Sequence, residues 1–123
     1  MVHSNPLNYA VRDKLALQFK EIMLLYHNVN LIIVELVYGN KHVEITDKNN
    51  MNHVQLRTSN DNILWHKENM MYIGVKRLLQ NEPHYKNVCF IDCDMYFGNV
   101  HWVNDTLKLL TRYDIIQMFN VCF

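Results

Sequence analysis

Glycine and proline are scarce, three and two among 123 residues, and no low-complexity segment or internal repeat is present. An excess of either charge is also missing, because twelve Lys and Arg balance twelve Asp and Glu. That argues against a dedicated nucleic-acid binder, since no basic surplus exists to neutralise phosphates. The three cysteines, Cys89, Cys93 and Cys122, form an odd set with no disulfide framework and fit reduced thiols in a cytoplasmic setting. Cys89 and Cys93 supply only half a zinc set, and the other ligands would have to come from scattered side chains. Met1 to Tyr9 has no apolar signal core, and the strongest apolar run, Leu31 to Tyr38, carries Glu35 and is too short to span a membrane. Half the residues are hydrophobic and a fifth charged, as in an ordinary soluble globular domain. The bias toward Asn, Tyr, Ile and Met fits an AT-rich genome and says nothing about chemistry.

The order of elements is more informative. Asn5-Pro6 breaks the chain early. Val11, Leu15, Phe19, Ile22, Met23 and Tyr26 follow helical spacing and predict a helix from about Val11 to about Tyr26. Leu31-Ile32-Ile33-Val34 suits a strand buried on both faces, running out near Glu35 to Tyr38 before Gly39-Asn40. His53 to Arg57 alternates as a short strand. Thr58 to Asn62 offers capping side chains for a helix from about Ile63 to about Leu79, with Met71, Val75, Leu78 and Leu79 inward. Val88 to Ile91 reads as another strand. A helix from about Val100 to about Thr111, with Val103, Leu107 and Leu110 inward, and a strand from Ile115 to Phe119 complete the chain. Strands alternating with helices predict an α/β fold with a mostly parallel sheet flanked by helices. Ligands in such folds bind beyond the carboxyl ends of the strands.

Asp92-Cys93-Asp94 follows one such end. Two residues apart on an extended chain, side chains point the same way, so both carboxylates are presented together. They repel unless a proton or cation intervenes. A hard divalent ion, Mn²⁺ or Mg²⁺, resolves this and leaves room for phosphate oxygens. The competing local reading is a loop that merely begins after a strand.

Several stretches together resemble a known family. His53-Val-Gln-Leu-Arg57, Ile63-Leu-Trp-His-Lys-Glu-Asn-Met70 and Val88-Cys-Phe-Ile-Asp-Cys-Asp94 are similar to GT-A glycosyltransferases of the family-two type. The likeness is greatest to a subgroup found in large DNA viruses and some microbes. Asn5-Pro6-Leu7-Asn8-Tyr9, Val34-Glu35-Leu36, Trp102 through Leu110 and Asp114 through Phe119 extend it over nearly the whole chain. The resemblance implies a Rossmann-like GT-A domain that binds a nucleotide-diphosphate sugar, UDP- or GDP-linked, through a divalent metal. It implies Asp94 as the direct metal ligand and Asp92 near the ribose or on the metal through water. It puts Glu35 toward the nucleoside, and Arg57, Lys67 and Asn69 near the base or diphosphate. Trp65 fits a core aromatic better than a stacking platform. His66 fits a packed or solvent-facing residue better than a general base.

The chain departs from that family twice. An apolar strand normally precedes the Asn-Pro element, and here only Met1 to Ser4 is available as a short substitute. The acceptor-binding half and the catalytic base normally follow the Asp-x-Asp half, and too little chain remains for them. His101, Asp105 and Asp114 are acids or bases, but none stands at the family's position. The expectation is therefore a partial GT-A domain over residues 1–123. It binds a donor, has an unknown acceptor, and self-associates or takes a partner that supplies the acceptor half. One alternative is a truncated, inactive interaction module with exposed apolar surface. A second is a haloacid-dehalogenase-type phosphatase, which also uses Asp-x-Asp after a strand but has Thr or Val where Tyr96 stands.

Overall fold

A computed structural model describes residues 1–118. The elements are β1 (Val2–Ser4), α1 (Ala10–Met23), β2 (Ile33–Tyr38), β3 (His53–Thr58), α2 (Lys67–Asn81) and α3 (Trp102–Leu109). The three strands form one parallel sheet in the order β1-β2-β3. Val2 to Ser4 lies beside Val34 to Leu36, so the short N-terminal segment does supply a strand. The Met1 ammonium donates to the Ile32 carbonyl at 2.8 Å, and the Met1 carbonyl accepts from Val34 at 3.0 Å.

All six residues of β2 are buried, as expected for a central strand covered on both faces. Its residues alternate between two layers. Val34, Leu36 and Tyr38 pack with Val54 and Met70, on the side of α2. Ile33 packs with Ala16 of α1 and with Ile45 on the opposite side. The molecule is thus an α/β arrangement of a small parallel sheet between helices. Among the described residues no helix is long and apolar enough to cross a membrane.

Helix α1 forms where it is predicted but ends at Met23, and its buried face is Ala16, Phe19 and Met23; Val11, Leu15 and Ile22 of the predicted face are exposed. Helix α2 starts at Lys67, four residues later than its predicted start at Ile63. Side chains hold the intervening segment as a turn. Asn62 donates to Thr58 Oγ1 at 3.0 Å, and the Asn62 carbonyl pairs with His66 Nε2 at 3.1 Å and Leu64 N at 2.9 Å. Local side-chain bonds of this kind compete with the first helical turn. The buried stripe of α2 is Met70, Gly74 and Leu78; of the predicted Met71, Val75, Leu78 and Leu79, Leu78 is buried, Met71 and Val75 are half-buried and Leu79 is exposed. Gly74 explains why this face turns inward. A Cβ there would stand 3.2 Å from Val34 Cγ2, so the missing side chain lets α2 lie directly on β2.

The largest departures lie after α2. Val88 to Ile91 belongs to no strand, and neither does 115–118; Phe119 lies outside the described residues. Helix α3 is shorter than predicted and buries only Trp102, with Val103 and Leu110 half-buried and Leu107 exposed. Trp102 anchors it by stacking on Phe97 at 4.1 Å and meeting Tyr26 edge-on at 5.7 Å. Between β1 and α2 on one side, and residues 86–91 and α3 on the other, lies an apolar cavity of about 660 Å³. Val88 to Ile91 lines this cavity and adds no strand to the sheet.

Two tests follow from the packing. Gly74→Leu should lower stability by about 1–3 kcal/mol through overpacking against Val34, measured by urea unfolding. His53 Nδ1 accepts a hydrogen bond from Asp47 N at 2.8 Å, a role a protonated imidazole cannot fill. Desolvation, aided by Lys20, lowers its pKa below 6.5. The unfolded chain therefore takes up the proton first as pH falls through 6.5, so stability present above that pH declines on acidification. His53→Gln should flatten the stability difference between about pH 7.5 and about pH 5.5.

Candidate donor-binding site

The direction of α2 locates the site. Gly74 lies against Val34 and Ile32, and Asn81 near the helix end donates to Met51 O at 3.3 Å, just before β3 begins. Helix α2 thus runs back toward the amino ends of the strands, and its first turn sits at their carboxyl ends. Lys67, the first residue of that turn, pairs with Asp92 at 2.5 Å. Two predicted site residues, remote in sequence, therefore meet at the predicted edge of the sheet.

Asp92 and Asp94 are both exposed, while Ile91, Cys93, Met95 and Phe97 are half-buried and pack on Phe19, Met23 and Trp102. The alternation turns the two carboxylates outward from one anchored segment, although a Met95 N to Asp92 O bond of 3.3 Å marks a turn there rather than a strand. Among the described residues no group of three or more His, Cys, Asp or Glu side chains is placed to hold a metal. Two carboxylates still suit Mg²⁺ or Mn²⁺, which keep waters and take substrate phosphate oxygens as ligands. The thiols beside them are poor ligands. Burial pushes Cys89 up to about 11, against the nearby N-terminal ammonium, and raises Cys93, where the Asp94 carboxylate adds to the effect.

Around this pair, Asn69 is exposed in the first turn of α2. Trp65 is 72% exposed and not a core residue. Its indole N–H donates to Glu68 at 3.2 Å, and Lys67 Nζ lies 5.9 Å from the ring centre. The turn that delays α2 keeps this ring on the surface. His66 is half-buried, as a packed residue should be.

Glu35 and Arg57 are placed differently. Glu35 is 2% exposed. Its Oε1 accepts from Glu44 N at 2.8 Å and Ile45 N at 3.2 Å. Its Oε2 accepts from Ile45 N, Thr46 N and Thr46 Oγ1 at 3.1, 2.8 and 2.7 Å. Arg57 is exposed at the end of β3 and donates to the carbonyls of Gly39 and Lys41, the second at 3.1 Å. Both residues thus brace the 39–46 loop that forms one wall at the carboxyl ends. Of the acids and bases considered earlier, Asp105 sits on α3, held ionised by hydrogen bonds from Asn99 and Lys108.

A second, polar pocket of about 250 Å³ was not anticipated. It is lined in part by His3, Asn5, Asp13, Glu35, Lys41 and Glu44. His3 Nε2 and Asn5 Nδ2 both reach Asp13 Oδ1, at 2.8 and 2.9 Å. Asn5 also brackets Tyr9 through its N–H and carbonyl, and Lys41 donates to the carbonyls of Asn5 and Pro6. The Asn-Pro element was a usable signal for Asn5. Nothing in the spacing linked His3 or Asp13 to it.

No protein-family model matches the chain, and no curated protein or solved structure matches it with statistical significance.

The Glu35 cluster makes a direct prediction. Glu35→Gln puts an amide where only acceptors fit, and should cost about 2–3 kcal/mol in urea unfolding. Amides 44–46 should lose hydrogen-exchange protection first.

Proposed function

We propose that the chain is the donor-binding part of a GT-A glycosyltransferase and that it holds a nucleotide-diphosphate sugar at the carboxyl ends of its parallel strands. The observation that carries this reading is the Lys67–Asp92 ion pair beside Asp94. It joins an Asp-x-Asp pair to a cation and to the first turn of a helix, where backbone N–H groups favour anions. That combination suits a diphosphate.

In this reading Asp94, with Asp92, would hold Mn²⁺ or Mg²⁺. The bound ion would neutralise charge on the diphosphate as it leaves. Lys67 orients the Asp92 carboxylate and adds positive charge to the same region. Asn69, exposed in the same helical turn, offers a hydrogen-bonding amide to the donor. Arg57 and Glu35 act through the 39–46 loop, which they fix as the wall on the nucleoside side. Among the described residues none is assigned as the base that takes the acceptor's proton. A reading as a catalytically inert interaction module is favoured by exposed apolar side chains, among them Leu64, Trp65, Tyr96 and Ile115.

Calorimetric titration with UDP and GDP, with and without Mn²⁺, tests the proposal. Binding should require Mn²⁺, disappear in Asp94→Ala, and weaken about tenfold in Lys67→Ala, the loss of one charge-assisted contact. Absence of nucleotide binding by the folded chain would reject the donor site and favour the inert module.

A further inference from the structure

A tryptophan that is 72% exposed forgoes the burial of a large apolar area, and Trp65 does so beside the Lys67–Asp92 pair. The ring is held in place. The turn before α2 is closed by the bonds from Asn62 to Thr58 and between Asn62 and His66. The indole N–H donates to Glu68 Oε1 at 3.2 Å, which fixes one edge of the ring. Lys67 Nζ lies over one face, 5.9 Å from the ring centre, while it also pairs with Asp92. One ammonium thus links the ring to the Asp-x-Asp segment. With most of the ring exposed, the face away from Lys67 is open to solvent.

We infer that Trp65 is a stacking platform for the sugar ring of the donor, an assignment that rests on the proposed donor site. The sugar of a nucleotide-diphosphate sugar is joined directly to the distal phosphate. A diphosphate held at Asp92, Asp94 and Lys67 therefore carries its sugar to within reach of the ring. A pyranose has a face of C–H groups and a rim of hydroxyls. The C–H face packs on an indole, which offers flat apolar area and a negative π surface to the polarised C–H bonds. The rim needs polar partners, and Glu68 and Asn69 are exposed in the first turn of α2. A nucleobase is also flat. In the same reading, however, it lies at the other end of the diphosphate, toward the 39–46 loop that Glu35 and Arg57 brace. Trp65 then adds to the binding of the sugar and not to that of the nucleotide, which makes it a residue of donor specificity.

Calorimetry in Mn²⁺ compares UDP, GDP, UDP-glucose, UDP-N-acetylglucosamine and GDP-mannose on the natural chain, Trp65→Ala, Trp65→Phe and Tyr72→Ala. Tyr72 is the control, because it is 61% exposed on the same helix with Lys76 Nζ 5.8 Å from its ring centre and has no part in the proposed site. Urea unfolding of each variant checks that it folds as the natural chain does. At least one sugar nucleotide should bind more tightly than its free nucleotide. Trp65→Ala should weaken that one about tenfold and leave the free nucleotide within about twofold. Trp65→Phe should keep most of the gain, and Tyr72→Ala should change neither. Equal weakening of the free nucleotide would overturn the sugar assignment and place the ring on the base or diphosphate. Nucleotide binding with no loss in Trp65→Ala, or with no gain from any of the three sugars, would overturn the platform and leave the donor site standing. Absence of any nucleotide binding by the folded natural chain would reject the donor site, and the platform with it.

Discussion

The carboxylate of Glu35 stands in the middle of the central strand, sealed from water, and must be satisfied by whatever folds over it. Backbone N–H groups from residues 44–46 and the Thr46 hydroxyl do this, so the chain after β2 has to turn back across the sheet. That reversal fixes much of the carboxyl-end surface. Ile45 becomes a core residue against Ala16 and Ile33, and Lys20 of α1 donates to its carbonyl at 2.8 Å. Lys41 reaches the Asn5 and Pro6 carbonyls, and Arg57 reaches those of Gly39 and Lys41. One buried acid thereby ties together the loops after β1 and β2 and the end of β3.

The second organising contact is the Lys67–Asp92 pair. Both partners are partly open to water, so its contribution to stability is small, on the order of 1 kcal/mol or less. Its importance is positional. It registers the Asp-x-Asp segment against the start of α2, on the edge of the sheet where parallel α/β proteins bind ligands. The segment that carries the carboxylates is anchored through Ile91, Cys93, Met95 and Phe97 on Phe19, Met23 and Trp102.

The most legible features in the sequence were those carried by a single periodicity. The apolar run Leu31 to Val34, running out to Tyr38, the alternation over His53 to Arg57 and the apolar spacing after Ala10 each located an element, although β2 starts at Ile33 and the buried face of α1 turns on Ala16. Val88 to Ile91 carries the same kind of signal, but a strand needs a partner edge, and the distance to β1 is not encoded in four residues. The face of α2 turned on Gly74, which periodicity ignores because glycine has no hydrophobic side chain to count. Trp65 illustrates the converse error: its size predicts burial, while the Asn62–His66 bonding that exposes it involves side chains usually assigned to capping.

By itself the sequence determined the class of fold, the buried central strand and the presence of paired carboxylates after an apolar segment, because these follow from residue types a few positions apart. Only the tertiary structure decided that Lys67 meets Asp92, that Glu35 and Arg57 brace a loop, and that His3, Asn5 and Asp13 converge. Each of those depends on where two distant segments land against each other. That placement is set by the burial of whole faces, and no local pattern records it.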